Sequence, residues 1–126
     1  MKYVIAPDIK RQIDVLIDKL QWTHIKKDNI FCIRSTNAKT KATARIWGIG
    51  KIFTQVVGLP AYYVIEVNSS KFDKLPPDKQ IKVLIHELMH IPKTFSGALL
   101  SHKGRYHRID HKEVEKWFKK IKIKKV

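Results

Sequence analysis

Apolar residues recur at helical spacing in two segments near the ends of the chain. In residues 8–20 they fall three and four positions apart behind Asp8, a residue that suits a helix N-cap. Residues 110–121 show the same spacing, with Asp110 as the N-cap and Glu113 at the third helical position. We therefore predict an amphipathic helix at each place, with its apolar stripe packed on the core.

A third helix is predicted over about residues 77–90. The segment begins with a pair of prolines, which suit a first helical turn because a missing N–H costs nothing there. Pro92 ends it, since the residue before a proline is pushed out of helical geometry. The aliphatic residues of this helix fall on one side, and His86 and His90 fall on the other. The two histidines are therefore expected to face away from the core.

Three segments between the helices are rich in β-branched and aromatic residues, as strands are. Residues 30–34 form one predicted strand, with Cys32 as a core residue. Residues 42–57 form a second, which continues through a bulge or turn at its two glycines. Residues 61–67 form a third.

This order of elements predicts an α+β fold. We expect a small twisted sheet with the N-terminal helix packed on it, the histidine-bearing helix beneath it, and the C-terminal helix closing a cleft. A chain of 126 residues is near the commonest size for one domain, and no repeat, linker or composition shift divides it. Residues 1–126 are therefore expected to form a single domain.

The helix predicted at residues 77–90 contains HELMH, in which a glutamate directly follows the first of two histidines. Two imidazoles one helical turn apart can bind one tetrahedral Zn²⁺ at about 2.0–2.1 Å. Glu87 lies too far around the helix to join them without strain, but it can hydrogen-bond a water on the metal. In helices with the HExxH pattern this glutamate is the general base. The pattern predicts a zinc site with His86 and His90 as ligands and Glu87 as the catalytic base.

The charge of the chain suggests a further partner. Lys and Arg outnumber Asp and Glu by 26 to 11, which gives a formal net charge of +15. A surface of this charge attracts polyanions, so nucleic acid is an expected partner, above all at the basic loop of residues 37–45. Solubility or a hot habitat would explain the charge equally well.

The remaining composition limits the compartment and the ligand types. Cys32 is the single cysteine, so any metal must be held by His, Asp or Glu rather than by a cysteine knuckle. No apolar run approaches the length that spans a bilayer, and the N-terminal residues become charged too early for a signal peptide. We expect a cytoplasmic protein without a membrane partner.

The HELMH motif lies within IHELMHIPKTFSGALLSHKG, residues 85–104, and is accompanied by ARIWG, YYVIEV, KVLIHEL and EVEKWFKK. These segments, which cover most of the chain from about residue 30, resemble a small family of predicted archaeal and phage metallopeptidases. More distantly, the motif is similar to SprT-like proteases, in which a later histidine followed closely by glycine is the third zinc ligand. His102 holds that position, although a lysine separates it from Gly104. The resemblance implies a minimal zincin-like fold and a zinc peptidase.

Spacing alone leaves the third ligand open. A metzincin is excluded, because Lys93 and Ser96 stand where its pattern requires Gly and His. A gluzincin would take a glutamate from a following helix, where Glu115 or Glu113 could serve, although capping already explains Glu113. Spacing and resemblance together rank His102 first. The remaining candidates, in order, are His111, His107 and Glu113.

These features predict a zinc-dependent metallopeptidase, and the basic surface with the SprT similarity suggests substrates among nucleic-acid-associated proteins. The strand before the zinc helix, residues 62–67, is the expected edge that pairs with an extended substrate, although its aromatic residues could equally belong to the core. Glu66 on that strand could lie at the cleft or on the outer face of the sheet. The alternatives are a basic nucleic-acid-binding module with a structural or vestigial metal site, and a zinc hydrolase acting on a non-peptide bond.

Overall fold

The computed structural model describes residues 2–36, 39–105 and 107–123, and it has the predicted α+β architecture. Its helices are α1 (Pro7–Leu20), α2 (Ser69–Phe72), α3 (Pro77–Met89) and α4 (His111–Ile123). Its strands are β1 (Lys2–Ile5), β2 (Ile30–Thr36), β3 (Ala44–Trp47) and β4 (Tyr63–Asn68). The three predicted helices are confirmed as α1, α3 and α4, and only their end residues differ from the expectation.

The four strands form one mixed sheet in the order β1-β2-β4-β3. β2 and β4 run parallel, whereas β1 and β3 pair antiparallel with their neighbours. Cys32 of β2 and Ile46 of β3 both lie opposite Ile65 of β4, on the face of the sheet that packs against the helices. Cys32 is buried there, as predicted. The short strand β1 was not predicted.

The aliphatic stripe of α3 fixes the position of the histidine-bearing helix. Leu84, Ile85 and Leu88 are at most 1% exposed and pack in the same core as the sheet residues and α1. Burial of each such side chain stabilises the fold by about 1.5–3 kcal/mol. This packing holds α3 in place, and with it the side of the helix that bears His86 and His90.

The two predicted helix caps have different outcomes. Asp110 caps α4 as expected, since its Oδ1 accepts a hydrogen bond of 3.0 Å from the N–H of Glu113. Asp8 does not cap α1, because the helix begins one residue earlier and the N-cap position, Ala6, has no side-chain acceptor. Arg34 instead donates to the Asp8 carboxylate at 2.7 Å. This hydrogen-bonded ion pair lowers the pKa of Asp8 to about 2.

The second predicted strand is too long. Residues 42–57 were expected to be extended, but β3 ends at Trp47 and residues 52–56 form a π-helical turn. The chain leaves the sheet where Gly48 packs against the backbone of Gly97, and an added Cβ at Gly48 would overlap the Gly97 carbonyl oxygen. Gly97 has a φ of +93°, a left-handed backbone conformation that glycine adopts without strain.

The prediction of residues 62–67 as a free substrate edge is wrong. β4 is paired with β2 on one side and with β3 on the other, so its backbone has no open hydrogen-bonding edge. β3 occupies the outer position and contacts α3. The free edge next to the histidine-bearing helix therefore belongs to β3, residues 44–47.

Candidate metal centre

Three histidine side chains converge beside α3. His86 lies in its last turn, His90 is its C-cap residue, and His102 returns from the segment that follows. One ligand nitrogen from each lies within 4.8 Å of the others, and the Nε2 atoms of His86 and His102 are 3.3 Å apart. Within the described ranges, these residues form a group that could hold a metal ion.

The orientation of His90 is fixed by Leu100. The Nδ1 atom of His90 lies 2.6 Å from the carbonyl oxygen of Leu100, and the Leu100 N–H donates to the His90 carbonyl at 2.8 Å. When Nδ1–H donates to that carbonyl, Nε2 keeps a free lone pair. The same pair of bonds holds the returning segment against the end of α3.

Tyr63 anchors this returning segment to the sheet, a role that the sequence analysis did not assign. Its hydroxyl donates to the carbonyl of Ala98 and accepts from the N–H of Gly97, both at 2.8 Å. The ring is fully buried and packs edge-on against Phe95, whose φ is +48°. A tyrosine in a strand is typical of a core residue, so no sequence signal pointed to the segment it binds.

We expect Tyr63→Phe to destabilise the fold by about 1–3 kcal/mol, because the Gly97 N–H and Ala98 carbonyl lose their shared partner. Metal affinity should fall as well, since the segment that carries His102 would be less well fixed. Thermal unfolding and metal titration would measure both effects. Tyr62→Phe is the matched control, because the ring of Tyr62 packs on Phe31 at the other side of the strand. Equal behaviour of the two variants would remove the anchoring role from Tyr63.

His102 is held by a short hairpin that leads into α4. Its carbonyl accepts a 2.8 Å hydrogen bond from the N–H of Ile109. The backbones of Lys103 and Arg108 form an isolated antiparallel β-bridge. The ring of His107 packs over Gly104, where an added Cβ would overlap it, and its Nε2 lies 2.9 Å from the Ser101 carbonyl. The close packing of the His107 ring therefore accounts for a glycine at position 104. His107 itself supports the turn that follows His102.

The other ligand candidates lie outside the histidine group. Glu113 pairs with Lys116 at 3.1 Å, and Glu115 pairs with Lys82 at 2.5 Å. His111 begins α4 and lines a neighbouring cavity. The structure thus brings His102 to the HELMH histidines and does not bring these three candidates there.

The immediate environment favours an uncharged imidazole at His86 and a protonated carboxyl group at Glu87. Burial, reinforced by the neighbouring His90 and His102, lowers the pKa of His86 to about 4. Glu87 is only 8% exposed, and burial raises its pKa to about 8. Neutral imidazoles have lone pairs for a metal cation, and a cation beside Glu87 would favour its charged form.

A cavity of about 730 Å³ opens next to His86 and Glu87. It lies between the histidine-bearing face of α3, the start of α4 and the segment that leads into β3. Its apolar wall is formed by Ala42, Ala44, Leu75, Val83 and Val114. A cavity of this size beside a candidate metal centre can accommodate part of a substrate.

Glu66 lies on the outer face of the sheet, away from the histidine group. Its neighbours along β4, Ile65 and Val67, face the core, and successive strand residues face opposite sides. Glu66 is buried under Arg45 and Trp47, which donate to Oε1 at 3.1 and 3.0 Å. Arg45, which belongs to the basic loop expected to bind nucleic acid, is therefore paired with the Glu66 carboxylate. Residues 37 and 38 of that loop lie outside the described residues.

An α+β fold that brings three histidines together, with a buried glutamate next to the first of them, is typical of metal-dependent hydrolases. Residues 1–123 match the model of the family described as "Putative phage metallopeptidase", and the chain belongs to this family. The match confirms the resemblance to phage metallopeptidases, and the family implies a metal ion and protein substrates. Comparison with curated proteins and with solved structures found no match. In the described parts of the chain, no helix is long and apolar enough to cross a membrane.

Proposed function

We propose that the protein is a zinc-dependent peptidase in which His86, His90 and His102 hold the metal and Glu87 is the general base. The observation that carries the proposal is the convergence of the three imidazoles within 4.8 Å, directly beside the buried glutamate. Membership of the metallopeptidase family supports the reaction type.

The donor set suits a catalytic zinc ion better than a structural one. Imidazole nitrogen is a common zinc ligand, and the group formed by described residues has three members. A structural zinc site is usually closed by four protein ligands, whereas a catalytic site keeps one position open. A structural or vestigial metal site, the alternative considered from sequence, is therefore less well supported.

When bound, zinc would supply a positive charge that acidifies a bound water and polarises the scissile carbonyl. The remaining chemistry belongs to the residues of the chain. Glu87 adjoins His86 in sequence and lies in the same cleft, so its carboxylate can take a proton from the attacking water and pass it to the leaving amine. The hydrogen bond from Nδ1 of His90 to Leu100 keeps the Nε2 lone pair directed to the group.

The free edge of β3 gives the substrate backbone a place to bind. An extended peptide can add to an exposed sheet edge through main-chain hydrogen bonds, with alternate side chains entering pockets. Ala44 belongs both to this edge strand and to the wall of the cavity beside Glu87. We therefore propose that the peptide lies along residues 44–47 and places one side chain in the cavity.

Metal analysis combined with a cleavage assay tests the proposal. We expect the purified protein to bind about one zinc ion per chain and to cleave an unstructured protein such as casein. A chelator should abolish cleavage, and stoichiometric zinc should restore it. Tightly bound zinc without cleavage of any protein or peptide pool would instead favour a structural site.

A further inference from the structure

A second cavity, of about 570 Å³, lies at the C-terminal end of α1. It shares no lining residue with the cavity beside the histidine group. Its walls include three lysines and three aromatic side chains. These are Lys19, Lys93, Lys120, Trp22, His24 and Trp117.

The three lysines give this basic aromatic pocket an excess of positive charge. Lys19 comes from α1, Lys93 from the segment after α3 and Lys120 from α4, so the fold gathers them from distant parts of the sequence. No aspartate or glutamate lines the pocket, and none of the three forms a salt bridge with another described residue. Ammonium groups gathered without counter-ions favour an anionic ligand.

The aromatic residues supply flat apolar surface in the same pocket. Trp22 and Trp117 are half-buried and pack edge to face, with ring centroids 5.0 Å apart. His24 lies beside Trp22 at 6.4 Å between centroids, and Lys120 sits over the Trp117 ring at 4.1 Å. Burial lowers the pKa of His24, so its ring adds aromatic surface rather than charge at neutral pH. The pocket thus combines cations with aromatic rings.

We propose that the basic aromatic pocket binds an unpaired nucleotide, with its base against the tryptophans and its phosphate held by the lysines. Base packing on aromatic side chains combined with lysine contacts to phosphate is how proteins bind single-stranded nucleic acid. A simple phosphate site would not need the indole surface or a cavity of about 570 Å³. The bases of a duplex are stacked and paired, so a duplex could offer only its backbone.

Tryptophan fluorescence gives a direct test, because two of the three tryptophans in the chain line the pocket. In Trp47→Phe, the remaining emission comes from Trp22 and Trp117. We expect a single-stranded oligodeoxythymidine to quench this emission, and a blunt duplex of equal length to bind at least about tenfold more weakly. Anisotropy of a dye-labelled oligonucleotide on the unmodified protein provides the same affinities independently of that variant.

Two charge-matched variants separate the pocket from the overall charge. One changes Lys19, Lys93 and Lys120 to Gln, and the other changes Lys39, Lys41 and Lys51 to Gln. Each removes three positive charges and so lowers the formal net charge from +15 to +12. We expect the pocket variant to bind at least about tenfold more weakly at low salt and to lose about 0.7 from the log–log salt slope, the value for the one phosphate that the lysines hold. The loop variant should change affinity by less than about threefold.

The fluorescence and binding measurements have outcomes that support the pocket and outcomes that overturn it. Adenosine monophosphate that quenches Trp22 and Trp117 and displaces the oligonucleotide would support the pocket and identify a free nucleotide as a sufficient ligand. Quenching by the oligonucleotide alone would support the pocket and identify a strand as the ligand. Equal losses in the two lysine variants, equal affinity for the duplex, or unchanged tryptophan emission would overturn the proposal.

Discussion

We expect Glu87→Gln to keep bound zinc and to lower kcat for peptide hydrolysis by about 10²–10⁴-fold, the usual contribution of a general base. Gln has nearly the same shape as Glu but cannot take a proton from the attacking water. The three imidazoles that form the candidate metal group are unchanged in this variant. Elemental analysis and a cleavage assay on the same preparation would separate the two effects.

Glu113→Gln is the matched control, since it removes the same charge from a residue that pairs with Lys116 outside the cleft. It should retain both zinc and activity. If Glu87→Gln lost zinc together with activity, Glu87 would be a ligand or a structural residue rather than the base. Full activity in Glu87→Gln would require a different proton acceptor.

The helices were predictable because their determinants are local. The prolines at the start of α3, Pro92 after it, and the Asp110 cap of α4 lie within a few residues of the ends they define. Apolar spacing then identified the buried side of α3. Asp8 was the exception, because its carboxylate is taken by Arg34, a residue on a distant strand.

The sheet was less predictable because strand order depends on contacts far apart in the sequence. The composition of β4 identified a strand, but a strand sequence does not specify its neighbours. β3 has only four residues and occupies the outer position, next to α3. Its end at Trp47 is explained by the packing of Gly48 on Gly97, a contact between segments nearly fifty residues apart. The free edge was therefore assigned to the wrong strand.

At the candidate site, local spacing identified His86, Glu87 and His90, whereas the place of His102 depends on long-range bonds. Tyr63 holds Gly97 and Ala98 from the sheet, and no pattern within the helix could indicate this support. The basic aromatic pocket is a similar case. Its lysines are scattered along the chain, whereas the loop at residues 37–45 has its basic residues close together in the sequence, so the sequence pointed to the loop and not to this pocket.

In the proposed zinc peptidase, the third ligand decides the class of metal site, and His102→Ala is the variant that tests it. We expect this substitution to weaken zinc binding by more than about 100-fold, since loss of a direct ligand should exceed the 10–100-fold cost of losing an outer partner. The Nε2 atoms of His102 and His86 are 3.3 Å apart, and the carbonyl of His102 accepts a hydrogen bond from the N–H of Ile109. Competition with a chromophoric chelator would measure the affinity.

His111→Ala and His107→Ala are the controls, because both remove an imidazole near the cleft without touching the three converging rings. His111→Ala should leave zinc affinity unchanged. His107→Ala should lower it by no more than about tenfold, because this ring supports the turn after His102 through Ser101 and Gly104. If His111→Ala stripped the metal while His102→Ala spared it, the third ligand would come from α4. The similarity to SprT-like proteases, which rests on the position of His102, would then fail as well.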